Sequence, residues 1–512
     1  MNPRMTIAVG AALFAACGSS HKDEPIEIAS ARGVTFELAA ARPPEGYDPF
    51  ELARKALGHM SNEEASTPPQ CYAKVDGAAN TCASCHTHSA APNFADDWEL
   101  QQNYSFTEYA KTNRWKNMFR ERTEEVAAFS DDAVLAHVRQ DNYRPLLAWL
   151  GAHPEAPGYA PDLDLARGFD ADGFANDGSG WRAVRFKPFT GNLSADTGSA
   201  GDVFVRLPAA FRTSPAIYRA NLAILEAAIT ADPAKQPSEL AREVERIDET
   251  AAGLDLDGDG VLGFATKVAG LPPHFAGGAA GVAVVRGLYP AGTEFLHTVR
   301  YLDPERPGLM ATRMKELRYA KKTGFLSERD VAHAYMAAEE PNAPLYTGDA
   351  LTGLTNGFSW QLQGYIEDAN GWLRKQTDEE HAYCMGCHSN VGVTVDQTFA
   401  FARKVPGATG WRPQDPTGIP DVPQAGHTTG ELAEYTMRAP GRNELTAKRA
   451  IALDRAYLAN VMEQSYVWGR DATTSPMKNV VAQVGRERST GLGEADRVYR
   501  DVRLQLDWST GR

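Results

Sequence analysis

The chain has 512 residues, of which 43% are hydrophobic and 23% charged, and a formal net charge of −14. That length allows two or three domains, and an acidic balance without a basic stripe excludes nucleic acid as a partner. Forty-five glycines and 31 prolines predict much irregular, loop-rich structure.

The N-terminus reads as an export signal. Arg4 is followed by a short apolar run from Thr6 to Ala16, then by Phe14-Ala15-Ala16-Cys17 at its end. The run is too short to span a bilayer. Small residues directly before a cysteine resemble a bacterial lipoprotein cleavage box, with Cys17 as the lipidated first residue of the mature chain. The alternative is an ordinary secretory signal with a cysteine at that place by chance. Gly18 after the cysteine, rather than aspartate, favours the outer membrane under the lipoprotein rule. The polar residues up to about Pro44 suit a tether. No later segment has enough consecutive apolar residues to cross a membrane, so contact with the bilayer is expected through the lipid anchor only.

Pro49 to His59 reads as a short helix, and residues 61–95 as a loop. Residues 98–150 read as helical, with Ser130-Asp131-Asp132 as a cap. Residues 151–213 are rich in Gly, Asp and Pro and predict ordered loops with a strand or two. Ser214-Pro215 opens a helix whose apolar face is Ile217, Leu222, Leu225 and Ile229. Ser238 to Ala252 is expected to be helical. So is Ala311–Lys322, and Ser327-Glu328-Arg329-Asp330 is a capping box for another helix. The stretch around Asp368-Ala369-Asn370-Gly371 alternates apolar and polar residues as a β-hairpin does. Residues 443–467 read as a long helix.

The six cysteines are Cys17, Cys71, Cys82, Cys85, Cys384 and Cys387. Four of them form two Cys-x-x-Cys-His motifs, Cys82-Ala83-Ser84-Cys85-His86 and Cys384-Met385-Gly386-Cys387-His388. With Cys17 lipidated, only Cys71 is left over, so no disulfide framework exists. Three occupants suit the pairs. Haem c needs two thioether sulfurs and an adjacent imidazole on one helical face, which residues i, i+3 and i+4 supply. One zinc held by four thiolates leaves both histidines unexplained. A thioredoxin-like redox pair follows a strand in a βαβ unit, and neither motif does. Haem c accounts for most of the pattern, which makes two covalently bound haems the expected cofactor. Thr377 and Glu380 form a capping box that predicts a helix start near Asp378, just before the second motif.

With His86 and His388 as proximal iron ligands, the opposite axial ligand sets the chemistry. Methionine raises the reduction potential, a second histidine lowers it, and an open position admits peroxide or oxygen. The candidates are Met437, His427 and His59, with Met462 and Met477 behind them; His88 and His381 lie on the proximal side. Tyr383 and Trp411 are aromatics that would either assist electron passage or serve as packing.

A second metal is suggested by Asp255, Asp257, Asp259 and Gly260, the opening of a calcium loop to which Val261 would add its carbonyl. The match stops at position twelve, where Thr266 replaces the bidentate glutamate. The plainer reading is an Asp/Gly turn after a helix. Asp170, Asp172, Asn176 and Asp177 form a looser oxygen cluster.

The two motifs resemble bacterial dihaem c-type cytochrome lipoproteins, and "RMKELRYAKKTGFL" and "TFAFARKVPGATGW" look like stretches of large dihaem lipoproteins. A looser resemblance is to dihaem cytochrome c peroxidases, which use a calcium ion. The resemblance implies thioether attachment at Cys82, Cys85, Cys384 and Cys387 and iron ligation at His86 and His388. The elements read above predict a mainly α protein with extensive irregular loops and a small β-hairpin, in which two cytochrome c-like haem regions flank a central insertion. The expected divisions are a signal peptide 1–16, a tether 17–45, a first haem region 46–150, a central region 151–345 and a second haem region 346–512. The expected role is electron transfer between periplasmic or outer-membrane partner proteins. The alternatives are a dihaem peroxidase and a dihaem oxygenase acting on an organic substrate.

Overall fold

The computed structural model describes residues 27–29, 35–37, 43–57, 138–186, 201–230, 235–303, 306, 310–327, 329–330, 346–368, 371–381 and 404–415, with residues 136, 333, 396 and 398. The strands are β1 (Glu27–Ala29), β2 (Thr35–Glu37), β3 (Arg182–Val184), β4 (Val203–Arg206), β5 (Ala241–Asp248) and β6 (Phe264–Ala269). They continue as β7 (Glu294–Leu302), β8 (Met310–Lys322), β9 (Tyr346–Asp349), β10 (Gly353–Asn356), β11 (Trp360–Glu367) and β12 (Leu373–Lys375). The helices are α1 (Pro49–Lys55), α2 (Tyr143–Ala152), α3 (Pro215–Ile229) and α4 (Glu249–Ala252).

The organising element is an eight-stranded sheet in the order β3-β4-β7-β8-β11-β10-β9, with β12 also paired to β11. Every pairing in it is antiparallel. The strand β11 shares its outer edge between two partners. Its first half meets β10 through Leu354↔Leu362, and its last residues meet β12 through Tyr365↔Lys375. The expectation of a mainly α fold with one small hairpin is therefore overturned, because the described residues are mostly β. The sheet draws strands from residues 182–206, 294–322 and 346–375, so it runs across the boundary expected near residue 345.

Both faces of the sheet are covered. Alternating side chains send Val203, Val205, Phe295, Ala320, Trp360 and Leu362 to one core, which α3 and the β5–β6 hairpin complete through Leu222, Ile224, Val244 and Ile247. Phe204, Leu296, Leu317, Tyr319 and Tyr365 point the other way, to a core with Phe50 of α1 and Leu146 and Leu150 of α2. This period of two is what a strand imposes.

Two expected helices are strands. "MATRMKELRYAKK" is rich in helix-forming Met, Lys, Glu, Leu and Arg, yet it forms β8, between β7 and β11. A register shift between Val299 and Arg300 of β7, at the level of Lys315, brings Met314 and Leu317 to the same face. That irregularity gives the strand a spacing of three between apolar residues, the spacing of a helix. Ser238 to Ala252 is likewise β5 followed by the single turn of α4.

Other local signals are realised. Ser214 Oγ accepts from Ile217 N at 3.2 Å, and Pro215 opens α3. Ser327 and Asp330 cap each other reciprocally, with Asp330 N donating to Ser327 Oγ at 3.2 Å and Ser327 N donating to Asp330 Oδ2 at 3.1 Å. The hairpin expected around residues 368–371 joins β11 to β12. Of the expected helix 98–150, the structure describes α2 at its end, and the expected helix 443–467 lies outside the described residues.

A strand inside a sheet covered on both faces should be apolar, but β8 and β11 carry buried charges. They are paired. Arg313 Nε donates to Glu367 Oε1 at 2.5 Å, and Tyr301 Oη donates to Oε2 of the same carboxylate at 2.5 Å. Burial pushes the Glu367 carboxyl above its ordinary range, and the Arg313 charge opposes that shift. On β3, Arg182 makes a bidentate pair with Glu245 of β5 at 2.5 and 2.7 Å, and its guanidinium lies 4.3 Å from the rings of both Phe174 and Trp411.

The Arg313→Met variant should lose about 3–5 kcal/mol of stability, because Glu367 is then buried without its cation. Chemical denaturation should show this as a lower midpoint, and Arg313→Met/Glu367→Leu should recover more than half of the loss.

Candidate functional site

Neither Cys-x-x-Cys-His motif falls within the described residues, and neither do Cys17, Cys71, His59, His88, Tyr383, His427, Met437, Met462 or Met477. The structure does describe both shores of the segment that carries the second motif. Upstream, β12 delivers the chain to Gln376, whose N–H donates to Gly364 O of β11. A side chain on Gly364 would meet the Gln376 side chain, which would have to move aside. The expected capping box then forms. Thr377 N donates to Glu380 Oε2 at 2.9 Å, Glu380 N donates to Thr377 Oγ1 at 3.3 Å, and residues 378–381 are helical.

The same Glu380 carboxylate receives Arg374 in a buried bidentate pair at 2.7 and 3.0 Å. Asp378 accepts from Ala350 N at 2.7 Å, tying the helix start to the β9–β10 turn. His381 is buried, and its Nδ1 lies 3.1 Å from Thr377 O. Burial lowers its pKa, which favours neutral imidazole. With Nδ1–H donating to that carbonyl, Nε2 keeps its lone pair.

Downstream, Asp396 meets the opposite end of β11. Its Oδ1 accepts from Lys322 Nζ at 2.8 Å, its Oδ2 from Tyr289 N at 3.1 Å, and its carbonyl from the Trp360 indole at 2.7 Å. Burial raises its pKa to about 6, against the pull of Lys322. Asp396 also holds a positive φ of 56°, a conformation that these three contacts maintain. The second motif thus lies on a segment between two fastenings to the sheet, at Asp378 and Glu380 upstream and at Asp396 downstream.

The acidic loop is fully described. Asp255 Oδ1 accepts from Gly258 N at 2.8 Å and Oδ2 from Gly260 N at 2.9 Å, while Asp259 Oδ1 accepts from Val261 N at 2.8 Å. Gly258 and Gly260 take φ of 74° and 85°, as the tight turns require. Among the described residues, Glu249, Asp255 and Asp257 each bring one carboxylate oxygen within 4.8 Å of the other two.

Glu249 was missed from the sequence. It stands upstream on α4, whereas the calcium-loop pattern looks downstream for its glutamate. It is buried, with Oε1 accepting from Leu256 N at 2.7 Å and Asp257 N at 3.0 Å, and Oε2 from Gly263 N at 3.2 Å. A carboxylate has about four acceptor positions, so Oε2 has room for a cation. The one readable signal was an acid at the first turn of a helix opening directly into the loop.

In the looser oxygen cluster the side chains serve the loop itself. Asp170 accepts from Asp172 N and Phe174 N, Asp172 pairs with Arg219, Asp177 accepts from Asp164 N and Ser179 N, and Asn176 donates to Arg167 O. Trp411 is buried in the core with Lys404 Nζ 4.6 Å from its ring, on top of the Arg182 contact.

Lys375, beside the capping box, is fully buried and donates to Gln363 Oε1 at 2.6 Å, with its Nζ 4.5 Å from the Tyr365 ring centre. Burial lowers its pKa to about 7, with Asp349 opposing weakly. An unfolded lysine titrates near 10.4. Between those values the unfolded chain binds more protons, so this group makes stability rise with pH from about 7 to about 10. Lys375→Met should therefore be more stable than the parent at pH 6, with the gap narrowing toward pH 10 when denaturation midpoints are compared.

Among the described residues no helix is long and apolar enough to cross a membrane. A family model described as "-like lipoprotein" matches residues 55–446. An uncharacterized lipoprotein of Aquifex aeolicus (strain VF5) is 32% identical over 419 residues, covering 75% of this chain and 69% of that one. No solved structure matches. The resemblance to dihaem cytochromes and dihaem peroxidases is overturned, since the family that matches is neither of these. The expectation of a lipoprotein held at a membrane agrees with the family. The match covers most of the chain, and the protein belongs to this lipoprotein family.

Proposed function

We propose that this lipoprotein is an electron carrier of the cell envelope, anchored to the outer membrane through Cys17 and facing the periplasm, with two covalently attached haem c groups. The observation that carries the reading is Cys-x-x-Cys-His occurring twice in a chain of a lipoprotein family. Cys82 and Cys85, and Cys384 and Cys387, would form the thioethers, and His86 and His388 would ligate iron from the same side. Each haem would supply one-electron exchange between ferric and ferrous iron.

The chain's own contribution is placement. The Thr377–Glu380 box and the Arg374 clamp set the start of the helical residues that lead into the second motif. The Asp396 clamp holds the far end of that segment. A scaffold closed at both ends suits a carrier, because electron exchange is fastest when little has to rearrange. Met437, His427 and His59 are the residues that would complete the iron's ligand set, and partner redox proteins of the envelope would be the donor and acceptor.

The same proposal gives the acidic loop a calcium ion with a structural role, held by Glu249, Asp255 and Asp257. Asp259 and the Val261 carbonyl are the further candidates from the sequence. What supports it is the convergence of three carboxylates, one of them buried, on a loop that glycines turn.

Expressed in cells with working haem-attachment machinery and then denatured and reduced, the chain should retain two haems, counted by pyridine haemochrome absorption. Cys384→Ala/Cys387→Ala should retain one, and a colourless parent chain would end the proposal. Two low-spin ferric haems that ignore cyanide would support a carrier, whereas a high-spin haem that bleaches with peroxide would replace it with an enzyme. Calcium at 100 times its dissociation constant should stabilise the fold by about 2.7 kcal/mol, raising the thermal midpoint by several degrees. Asp255→Asn/Asp257→Asn should abolish that rise, and an equal rise in the variant would remove calcium from this loop.

A further inference from the structure

The hairpin of β5 and β6 has one apolar face on α3 and a tip that faces solvent. Val244, Ile247, Ala265 and Val268 are buried beneath it. At the tip, Val261 is 66% exposed, Leu262 48% and Phe264 61%. Among the described residues only four large hydrophobic side chains are at least 48% exposed, and three of them fall within these four positions. Apolar residues scattered singly on a surface need no explanation, but a contiguous group at the apex of a rigid hairpin does.

The tip is built to stay in place. Glu249 pins the loop from below through Leu256 N, Asp257 N and Gly263 N, and Asp248↔Phe264 pairing fixes the base. The exposed Arg246 lays its guanidinium 3.5 Å from the centre of the Phe264 ring. The tip is aromatic and aliphatic, with a guanidinium at its collar and the carboxylates of Asp255, Asp257 and Asp259 in the loop that leads into it; the apolar side chains and the guanidinium match the boundary of a bilayer. There the rings and branched chains enter the acyl region and the cation meets phosphate.

We propose that Val261, Leu262 and Phe264, with Arg246 at their collar, dock onto the membrane that holds the lipid anchor, inserting shallowly between phospholipid headgroups. Two observations select a bilayer over another protein. Three side chains cover far less than the roughly 800 Å² per partner of a stable protein interface. The second is the length of chain between the anchor site and the body. Between Cys17 and Pro43 the chain folds back through the antiparallel pair β1–β2, Glu27 opposite Glu37, so it can span at most roughly 60 Å, which keeps the body close to the bilayer. A tip on such a leash meets the membrane at high effective concentration, and that makes even a weak contact persistent. The inference rests on the anchor at Cys17 for this nearness, and on neither haem.

The test uses the chain from Gly18 onward, so that neither the apolar leader nor the acyl anchor masks the contact. It is incubated in calcium-containing buffer with vesicles of phosphatidylethanolamine and phosphatidylglycerol, at lipid concentrations that replace the nearness the anchor gives, and then sedimented. The chain should sediment with the vesicles, and Val261→Ser/Leu262→Ser/Phe264→Ser should lower the partition by about tenfold or more. The three side chains are exposed, so the triple variant should keep the parent denaturation midpoint. As a second measurement that does not depend on that variant folding, a fluorophore on Leu262→Cys should shift to the blue on vesicles. A chain that stays in the supernatant, a triple variant that sediments equally, or a fluorophore that shifts without vesicles as protein concentration rises would each overturn the proposal.

Discussion

Burying charge inside a sheet covered on both faces is the constraint on which the rest of this structure depends. Taking an ion out of water costs several kcal/mol even after relaxation, and only a well-placed partner offsets it. The strand β8 brings Arg313 and Lys322 into the interior, β12 brings Arg374 and Lys375, and β3 brings Arg182. Four of these five meet a carboxylate from another part of the chain: Glu367, Asp396, Glu380 and Glu245. Lys375 meets a side-chain amide and aromatic rings instead, and its lowered pKa is the consequence. Apolar side chains would make a sheet at least as stable. Charged ones make it selective, since a strand slipped by one residue would leave each of these ions without its partner.

The same pairs connect the sheet to the segment of the second thiol motif. Arg374 reaches Glu380 while that glutamate is also closing a capping box, so one carboxylate joins the β12 strand to the helical residues that follow it. Lys322 and Trp360 sit at paired positions of β8 and β11, and both hold Asp396. On the other side of α3, the hairpin of β5 and β6 carries a different kind of site, where a buried glutamate organises backbone N–H groups beneath exposed aspartates and an apolar tip.

Short-range signals were legible wherever a residue acts on the backbone within four positions of itself. Ser214, Ser327 with Asp330, and Thr377 with Glu380 all cap as their spacing predicts, and Asp368 to Gly371 turns the chain between β11 and β12. The signal failed at β8. Its Met, Lys, Glu, Leu and Arg residues favour a helix locally, and the strand is imposed by β7 and β11, which pair with it along both edges. Glu249 was hidden for a related reason. Its partners are seven to fourteen residues ahead, and the turn that brings them back is visible only once β5 and β6 are paired.

By itself the sequence determined the two Cys-x-x-Cys-His motifs, the cysteine at the end of an apolar leader, the acidic loop and the helix caps, because each is written in neighbouring residues. The tertiary structure alone decided that the body is an eight-stranded antiparallel sheet, which buried ions are paired, and that Glu249 joins Asp255 and Asp257. Those outcomes depend on which strands lie side by side, and burial then sets the energy of every charge between them.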